Sequence, residues 1–261
     1  MTTVPSRLKP LPMPGCGRAE ALIATEPDAR FALHAHAEWS VGAILAGVCQ
    51  FACEGRPHGA AAGDLVVMAP QALHTAGASA GRFEMVMLYV PPTWVASTTG
   101  WPADPLPARQ GAVWRDAGLA DALGAAVAGD ASRLPALLRR ILAGAAERAP
   151  ATAQRPRDPR VNALCTLLQD DDAAAPDLPA LARRLGMSRE HAHRLFRAAV
   201  GLTPAHYARL ARITRAKAML RDGETAAEVA AACGFADQAH FARWFRRCFG
   251  VTPSRYGREG V

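Results

Sequence analysis

The sequence has no long apolar run, no paired cysteine motif and almost no lysine. No stretch of its 261 residues reaches the about 18 apolar residues of a membrane-spanning helix, so we expect no membrane partner. The six cysteines are scattered without a Cys-x-x-Cys pair, which predicts small core residues and no disulfide framework. The N-terminal segment lacks the apolar core of a secretion signal, and we expect a cytoplasmic protein.

The charged residues are unevenly distributed along the chain. Residues 1–154 hold 12 basic and 12 acidic side chains, whereas residues 155–261 hold 18 and 11. The formal net charge of +7 therefore belongs entirely to the second part. A neutral part joined to a basic part is typical of a sensing or catalytic module attached to a polyanion-binding module. An ordinary basic surface is the alternative interpretation.

Hydrophobic patterning predicts an α+β protein in which strands precede helices. Short alternating or apolar runs bounded by Gly and Pro between Arg30 and Tyr89 predict an all-β barrel or sandwich within residues 1–112. Residues 91–112, which are rich in Pro, Gly, Thr and Trp, are predicted to be an irregular connection at its end. Residues 113–148 have helical periodicity and serve either a dimer interface or packing against the barrel. The Pro- and Arg-rich residues 149–157 are the predicted linker, and residues 158–261 are predicted to be all-α.

The basic part contains an internal repeat. The sequence RLFR at 194–197, followed by GLTPAHY at 201–207, recurs 49 residues later as RWFR at 243–246 and GVTPSRY at 250–256. Each copy follows a short helical segment and a turn containing glycine, which is the pattern of a helix-turn-helix unit. The predicted end signals are the N-caps Asp177, Ser188, Thr225 and Asp237, the capping-box partner Glu228 and the C-terminal glycines Gly186 and Gly234.

A further helix is predicted between the two units. It begins at Thr203-Pro204 and ends near Asp222-Gly223. About 18 residues at about 1.5 Å each span about 27 Å. This approaches the about 34 Å of one B-DNA turn, so the two units are spaced to enter successive major grooves.

These motifs resemble the C-terminal DNA-binding domain of the AraC/XylS regulators. The resemblance covers residues 158–257, and EVAAACGFADQAHFARWFRRCFGVTPSRY at 228–256 is close to the family signature. It implies two helix-turn-helix units that bind an operator in double-stranded DNA. It also implies RNA polymerase and a second copy of the chain as partners.

Helical spacing selects the side chains that face DNA. Glu190, His193, Arg194 and Arg197 fall on one stripe of the first recognition helix. The opposite stripe, which we expect to pack inward, consists of Ala192, Leu195, Phe196 and Ala199. Arg194 is the best candidate for a bidentate contact with guanine. The full predicted set is Ser188, Arg189, Glu190, His193, Arg194, Arg197, Asp237, Gln238, His240, Arg243, Arg246 and Arg247. We expect Arg215 and Lys217, on the connecting helix, to be solvated.

The first part contains a second group of functional candidates. His34, His36 and Glu38 alternate, so on a strand their side chains would share one face. His74 ends the segment GDLVVMAPQALH at 63–74. The pattern resembles the two cupin motifs and the effector-binding domain that precedes the DNA-binding domain in many AraC-type regulators. It implies a small-molecule effector bound by these four residues.

The same four residues leave three interpretations open. In metal-binding cupins such histidines and a glutamate hold a metal ion, but here Glu38 lies closer to the second histidine than that pattern requires. The alternatives are a hydrogen-bonding site for a polar effector, a divalent metal site at His34, His36 and His74, and a structural cluster. No resident cofactor is expected.

Together these features predict an effector-controlled, sequence-specific transcription regulator. A cupin-like barrel would precede an all-α domain with two helix-turn-helix motifs, and the chain would not be an enzyme. The alternative is a cupin metal-dependent enzyme, or a metal sensor, fused to a DNA-binding domain. The sequence does not decide between activation and repression.

Overall fold

A computed structural model describes residues 6–13, 15–25, 30–78, 83–101, 112–148, 158–170 and 177–259. It has the predicted α+β arrangement, with antiparallel sheets first and helices after them. The predicted linker at 149–157 lies outside the described residues. No helix in the described ranges is long and apolar enough to cross a membrane.

In the described residues, ten strands form two antiparallel sheets that enclose a barrel interior. The strands are β1 (Arg7–Met13), β2 (Cys16–Ala24), β3 (Arg30–His34), β4 (Trp39–Ala46), β5 (Val48–Cys53), β6 (Arg56–Ala61), β7 (Asp64–Met68), β8 (His74–Ala78), β9 (Glu84–Val90) and β10 (Ala112–Arg115). The larger sheet has the order β1-β2-β9-β4-β7-β10, and the smaller has the order β3-β8-β5-β6. The strand pattern recognised in the sequence began only at Arg30 and missed β1 and β2. Pro10 and Pro12 made β1 hard to recognise as a strand from the sequence. An edge strand such as β1 tolerates proline because the N–H groups on its outer side need no partner in the sheet.

Among the residues that the structure describes, the first part of the chain has three helices. They are α1 (Pro92–Thr99), α2 (Ala117–Ala128) and α3 (Leu134–Arg148), with a 3₁₀ turn at Ala131–Arg133. The sequence indicated an irregular connection where α1 lies. Leu123, Leu138 and Ile141 are fully buried in the cluster that covers the outer face of the larger sheet. The apolar faces of α2 and α3 therefore pack against the barrel, and the homodimer stays a prediction.

The described residues of the second part form seven helices. They are α4 (Pro159–Asp170), α5 (Leu178–Arg184), α6 (Arg189–Val200), α7 (Pro204–Arg221), α8 (Ala226–Ala232), α9 (Gln238–Phe249) and α10 (Pro253–Glu259). The residues that were predicted to begin and end these helices are confirmed. The side chains of Asp177, Ser188, Thr203, Thr225 and Asp237 each accept a backbone N–H in the first turn of α5, α6, α7, α8 and α9, respectively. Gly186 and Gly234 have φ of 67° and 64°, the left-handed conformation that ends a helix.

A single hydrophobic core joins the barrel to the helical part. Leu22 and Met87 from the barrel interior belong to the same buried cluster as Phe245, Phe249 and Tyr256 from α9 and α10. The second helix-turn-helix unit therefore packs on the open end of the barrel. The first unit has a separate core around Phe196.

Candidate effector site and nucleic-acid interface

Three histidines meet inside the barrel, next to the helical part. His34 ends β3 and lies opposite His74, the first residue of β8, while His36 follows in the loop after β3. Their ring centroids are 4.3–5.3 Å apart, and only 3–5% of each residue is exposed. The structure thus brings together three of the four predicted effector residues, which we call the histidine cluster.

Hydrogen bonds fix how two of these rings are oriented. His34 Nδ1 donates to the carbonyl of Ala32 at 2.7 Å, and His74 Nδ1 donates to that of Ala72 at 2.8 Å. A carbonyl only accepts, so in both neutral rings the lone pair is on Nε2. His34 Nε2 lies 3.0 Å from His36 Nε2, and His36 Nδ1 is buried with no hydrogen-bond partner.

Burial keeps the histidine cluster uncharged. It lowers the pKa of His74 to about 4, and it lowers the pKa of His34 and His36 well below the usual value. His74 lowers the pKa of His34 further, and His34 does the same for His36. Neutral imidazole is the form that binds a metal ion or accepts a hydrogen bond.

The barrel cavity next to the cluster is small and mostly apolar. Its walls include Leu22, Phe51, Met68 and Met87 besides His34 and His74. The centre of a water molecule has about 30 Å³ to move in, which is room for one or two waters. Pockets for organic ligands have about 300–1,000 Å³. The predicted polar effector pocket is therefore not open around the histidines in this conformation.

Glu38 is separated from the histidines. The expectation that one strand carries His34, His36 and Glu38 was wrong, because β3 ends at His34 and the chain turns before β4. The carboxylate of Glu38 instead accepts a hydrogen bond from Arg221 Nη1 at 2.6 Å. Its Oε2 lies 3.9 Å from Lys217 Nζ.

Glu38 is part of a buried set of charges between the barrel and the helical part. Glu20 on β2 pairs with Lys217 on α7 at 2.9 Å and accepts a 2.5 Å hydrogen bond from the hydroxyl of Tyr256 on α10. Burial alone would raise the pKa of Glu38, but Lys217 and Arg221 bring it below its ordinary value. We call Glu20, Glu38, Lys217, Arg221 and Tyr256 the interdomain ion cluster.

The expectation that Lys217 is solvated was therefore wrong. Its side chain is 3% exposed, and its ammonium lies 4.5 Å from the ring centroid of Tyr89. Arg215 is half-buried and donates to the carbonyl of Ala232. One signal in the sequence was overlooked: Lys217 and Arg221 are four residues apart on one stripe of α7, and that stripe faces the barrel carboxylates.

A groove of about 350 Å³ opens at the edge of the interdomain ion cluster. Glu38 and Arg221 lie on its wall with Cys16, Pro91 and Trp94. This volume is within the range of organic-ligand pockets. The groove shares no lining residue with the small cavity beside His34 and His74.

The recognition helix α9 touches the histidine cluster at its C-terminal end. The ring of Phe249 is 5.7 Å from that of His34 and 5.6 Å from that of His36. The next residue, Gly250, lies so close to Phe31 that a Cβ added to it would be 2.7 Å from the Phe31 ring. The barrel and α9, the predicted second recognition helix, are in direct contact.

The predicted DNA-facing side chains are mostly accessible. On α6, Arg189, Glu190, Arg194 and Arg197 are exposed and His193 is half-buried, while Ala192 and Phe196 pack inward as expected. Ala199, which was expected to pack inward, is exposed. The exposed members at α9 are Asp237, Gln238, Arg243, Arg246 and Arg247.

Three of the predicted DNA contacts also bond within their own helix. The Ser188 hydroxyl accepts from the His191 N–H, and Asp237 Oδ1 accepts from the His240 N–H at 2.6 Å. His240 Nε2 accepts from Trp244 Nε1 at 3.0 Å. These three bonds orient the first turns of α6 and α9. The arginines at 194, 197, 243 and 246 have no such intrahelical bond among the described contacts and face solvent.

Comparison with known proteins finds a matching family model for each of the two parts of the chain. Residues 18–149 match the model of the AraC-like ligand binding domain, and residues 181–259 match that of a helix-turn-helix domain. The HTH-type transcriptional activator RhaS of Escherichia fergusonii is 38% identical over 105 residues, and RhaS of Escherichia coli SE11 is 36% identical over 104. These matches cover 39% of this chain and 37–38% of each relative, so the chain spans less than two fifths of the length of the curated relatives it matches.

A solved structure shares the overall fold. Vibrio cholerae ToxT with a bound unsaturated fatty acid has a TM-score of 0.62 at 13% identity, covering 100% of this chain and 99% of that one. At this identity the likeness concerns the fold alone. The ligand-domain match covers half of the chain and is followed by a matching helix-turn-helix domain. The chain belongs to the AraC/XylS family of transcriptional regulators.

Proposed function

We propose that this protein is a sequence-specific DNA-binding transcription regulator controlled by a ligand of its barrel domain. One observation carries the proposal: α7, the helix joining the two helix-turn-helix units, is tied to the barrel by the interdomain ion cluster. A change at the barrel therefore reaches the element that sets the relative position of the two recognition helices. The identified relatives are regulators, and we propose no catalytic role.

Control follows from a shift between arrangements of the two parts. A ligand shifts such an equilibrium only if it binds one arrangement more tightly than the other. An organic effector in the groove would lie against Glu38 and Arg221. A polar group that pairs with either of them competes with the ion pair that attaches α7 to the barrel. The ligand then has different affinities for the attached and detached arrangements.

The proposed partners follow from the two domains. They are an operator in double-stranded DNA, a small-molecule effector, RNA polymerase and a second copy of the chain. Because the protein acts on DNA, we place it in the cytoplasm. A cupin-type metalloenzyme is disfavoured because Glu38 bonds to Arg221 and is unavailable to a metal at the histidines.

The proposal is tested by DNA selection followed by binding titrations. Duplexes selected from a random pool should contain two recognised segments about one helical turn apart. On the selected duplex, Arg194→Ala and Arg243→Ala should each cost about 1–3 kcal/mol and relax the base preference at one position. The matched control is Arg139→Ala, an exposed arginine on α3, which should bind like the original protein.

Two outcomes of this experiment contradict the proposal or part of it. If no sequence is enriched over non-specific DNA, the protein is not a sequence-specific regulator. If an arginine variant loses affinity equally for every sequence, that arginine contacts phosphate and does not read a base.

A further inference from the structure

We propose that His34, His36 and His74 bind a divalent transition-metal ion, and that Zn²⁺ is the ion this site fits. The proposal deepens the proposed function, because it names a ligand for the domain that would control DNA binding. It concerns the histidine cluster and leaves the groove beside Glu38 to an organic effector.

The distances within the cluster suit a single ion. Each histidine offers one nitrogen, and the three nitrogens all lie within 4.8 Å of one another. Zinc binds imidazole nitrogen at about 2.0–2.1 Å, so two ligands of a tetrahedral zinc ion are about 3.4 Å apart. His34 Nε2 and His36 Nε2 are 3.0 Å apart, which is close to that separation.

The hydrogen bonds around the cluster also suit a metal. Metal-bound histidines commonly donate their other ring N–H to a backbone carbonyl, which fixes the ring and raises its basicity. His34 and His74 have this arrangement already, through Ala32 and Ala72. Their Nε2 lone pairs are thus available to a cation without any change of tautomer.

A cluster without a metal leaves one buried nitrogen unpaired. When His36 Nε2–H donates to His34 Nε2, the lone pair of His36 Nδ1 has no partner among the described residues. A buried polar atom without a partner is destabilising. In the cluster without a metal, His36 therefore has a buried lone pair that no described group uses, which is the group a cation needs.

The space beside the histidine cluster is large enough for a metal ion and too small for an organic molecule. The cavity beside His34 and His74 holds one or two waters and is walled by apolar side chains such as Leu22 and Met87. An ion with three protein ligands and one water needs no more room than this. An organic molecule would have to displace Phe249 or the barrel wall.

The test is a Zn²⁺ titration of the full-length chain after chelator treatment, followed by calorimetry and elemental mass spectrometry. We expect one Zn²⁺ per chain and a loss of affinity of at least 100-fold in His34→Gln and in His74→Gln. His58→Gln is the matched control, since His58 lies on β6 of the same barrel but stacks on Phe51 outside the cluster. This control should bind Zn²⁺ like the original protein.

A second measurement does not depend on how well the variants fold. Co²⁺ added to the original protein should give the visible absorption of a tetrahedral nitrogen–oxygen site, with no thiolate charge-transfer band from the cysteines. Absence of Zn²⁺ binding at micromolar concentration would overturn the proposal. Undiminished binding in both histidine variants, or a thiolate spectrum, would overturn it as well.

Operator binding measured on the same samples separates this proposal from the proposed function. A chain that binds its selected DNA but no Zn²⁺ contradicts the metal site alone. A chain that binds Zn²⁺ at the histidines but prefers no DNA sequence contradicts the regulator alone.

Discussion

Lys217 shows how a single residue connects the two parts of this protein. The chain has two lysines among its 30 basic residues, and Lys217 lies in the interface between the barrel and α7. Taking an ammonium and a carboxylate out of water costs free energy, which only close pairing offsets. Glu20 supplies that pairing, and the hydroxyl of Tyr256 binds the remaining oxygen of Glu20.

Removing one charge of this pair should therefore be costly. We expect Glu20→Gln to lower the free energy of unfolding by about 3–5 kcal/mol, because it leaves Lys217 charged and buried with only the more distant carboxylate of Glu38. Urea denaturation measures the loss. The control is Glu147→Gln, which removes an exposed partner of Arg148 and should change stability by less than about 0.5 kcal/mol. Equal effects of the two substitutions would mean that the interdomain pair is solvated.

At the scale of elements, the two helix-turn-helix units are built alike but packed differently. Recognition helices α6 and α9 both end in a glycine with positive φ, Gly201 at 79° and Gly250 at 76°. Gly201 has open space where a Cβ would be, whereas Gly250 faces the ring of Phe31. Because the two helices are copies of one repeat, Gly201 serves as an internal control for the contact that Gly250 makes with the barrel.

This difference predicts unequal effects of the same substitution. Gly201→Ala should cost about 1–2 kcal/mol, the strain of a left-handed alanine. Gly250→Ala should cost about 1–3 kcal/mol more, because the added methyl clashes with Phe31. Both are measured by urea denaturation, and Phe31→Leu combined with Gly250→Ala should recover part of the difference. Identical losses at the two glycines would show that α9 does not rest on the barrel in solution.

At the scale of the whole molecule, the two units of the helical part differ, because one has its own core and the other shares a core with the barrel. The first unit has its own core around Phe196, while Phe249 and Tyr256 of the second unit are buried with barrel residues. A fragment of residues 158–261 would expose these two aromatic side chains to water. It would also leave Lys217 without Glu20.

We expect this fragment to fold, to bind operator DNA and to unfold at a lower urea concentration than the helical part of the full chain. It should also bind DNA more weakly than the full chain if the first part of the chain forms the predicted homodimer. Fluorescence titration at low protein concentration measures both affinities. Equal affinities there would remove the argument for a dimer, and a fragment as stable as the full chain would contradict the interface.

The sequence by itself determined the helical part in detail. The two recognition helices, their caps at Ser188 and Asp237 and the exposed arginines at 194 and 243 were all predicted. These features depend on residues three or four positions apart, so capping and helical periodicity report them directly. The order of the strands and helices was predictable for the same reason, apart from β1, β2 and α1.

Only the tertiary structure decided how the barrel site is assembled. It placed Glu38 against Arg221, 183 residues away, and Glu20 against Tyr256, 236 residues away. It also closed the histidine cluster with Phe249. Local patterns carry no information on contacts of such separation. The charges of the interdomain ion cluster can be buried favourably only where both parts of the chain pack together. No single segment of the sequence shows that packing.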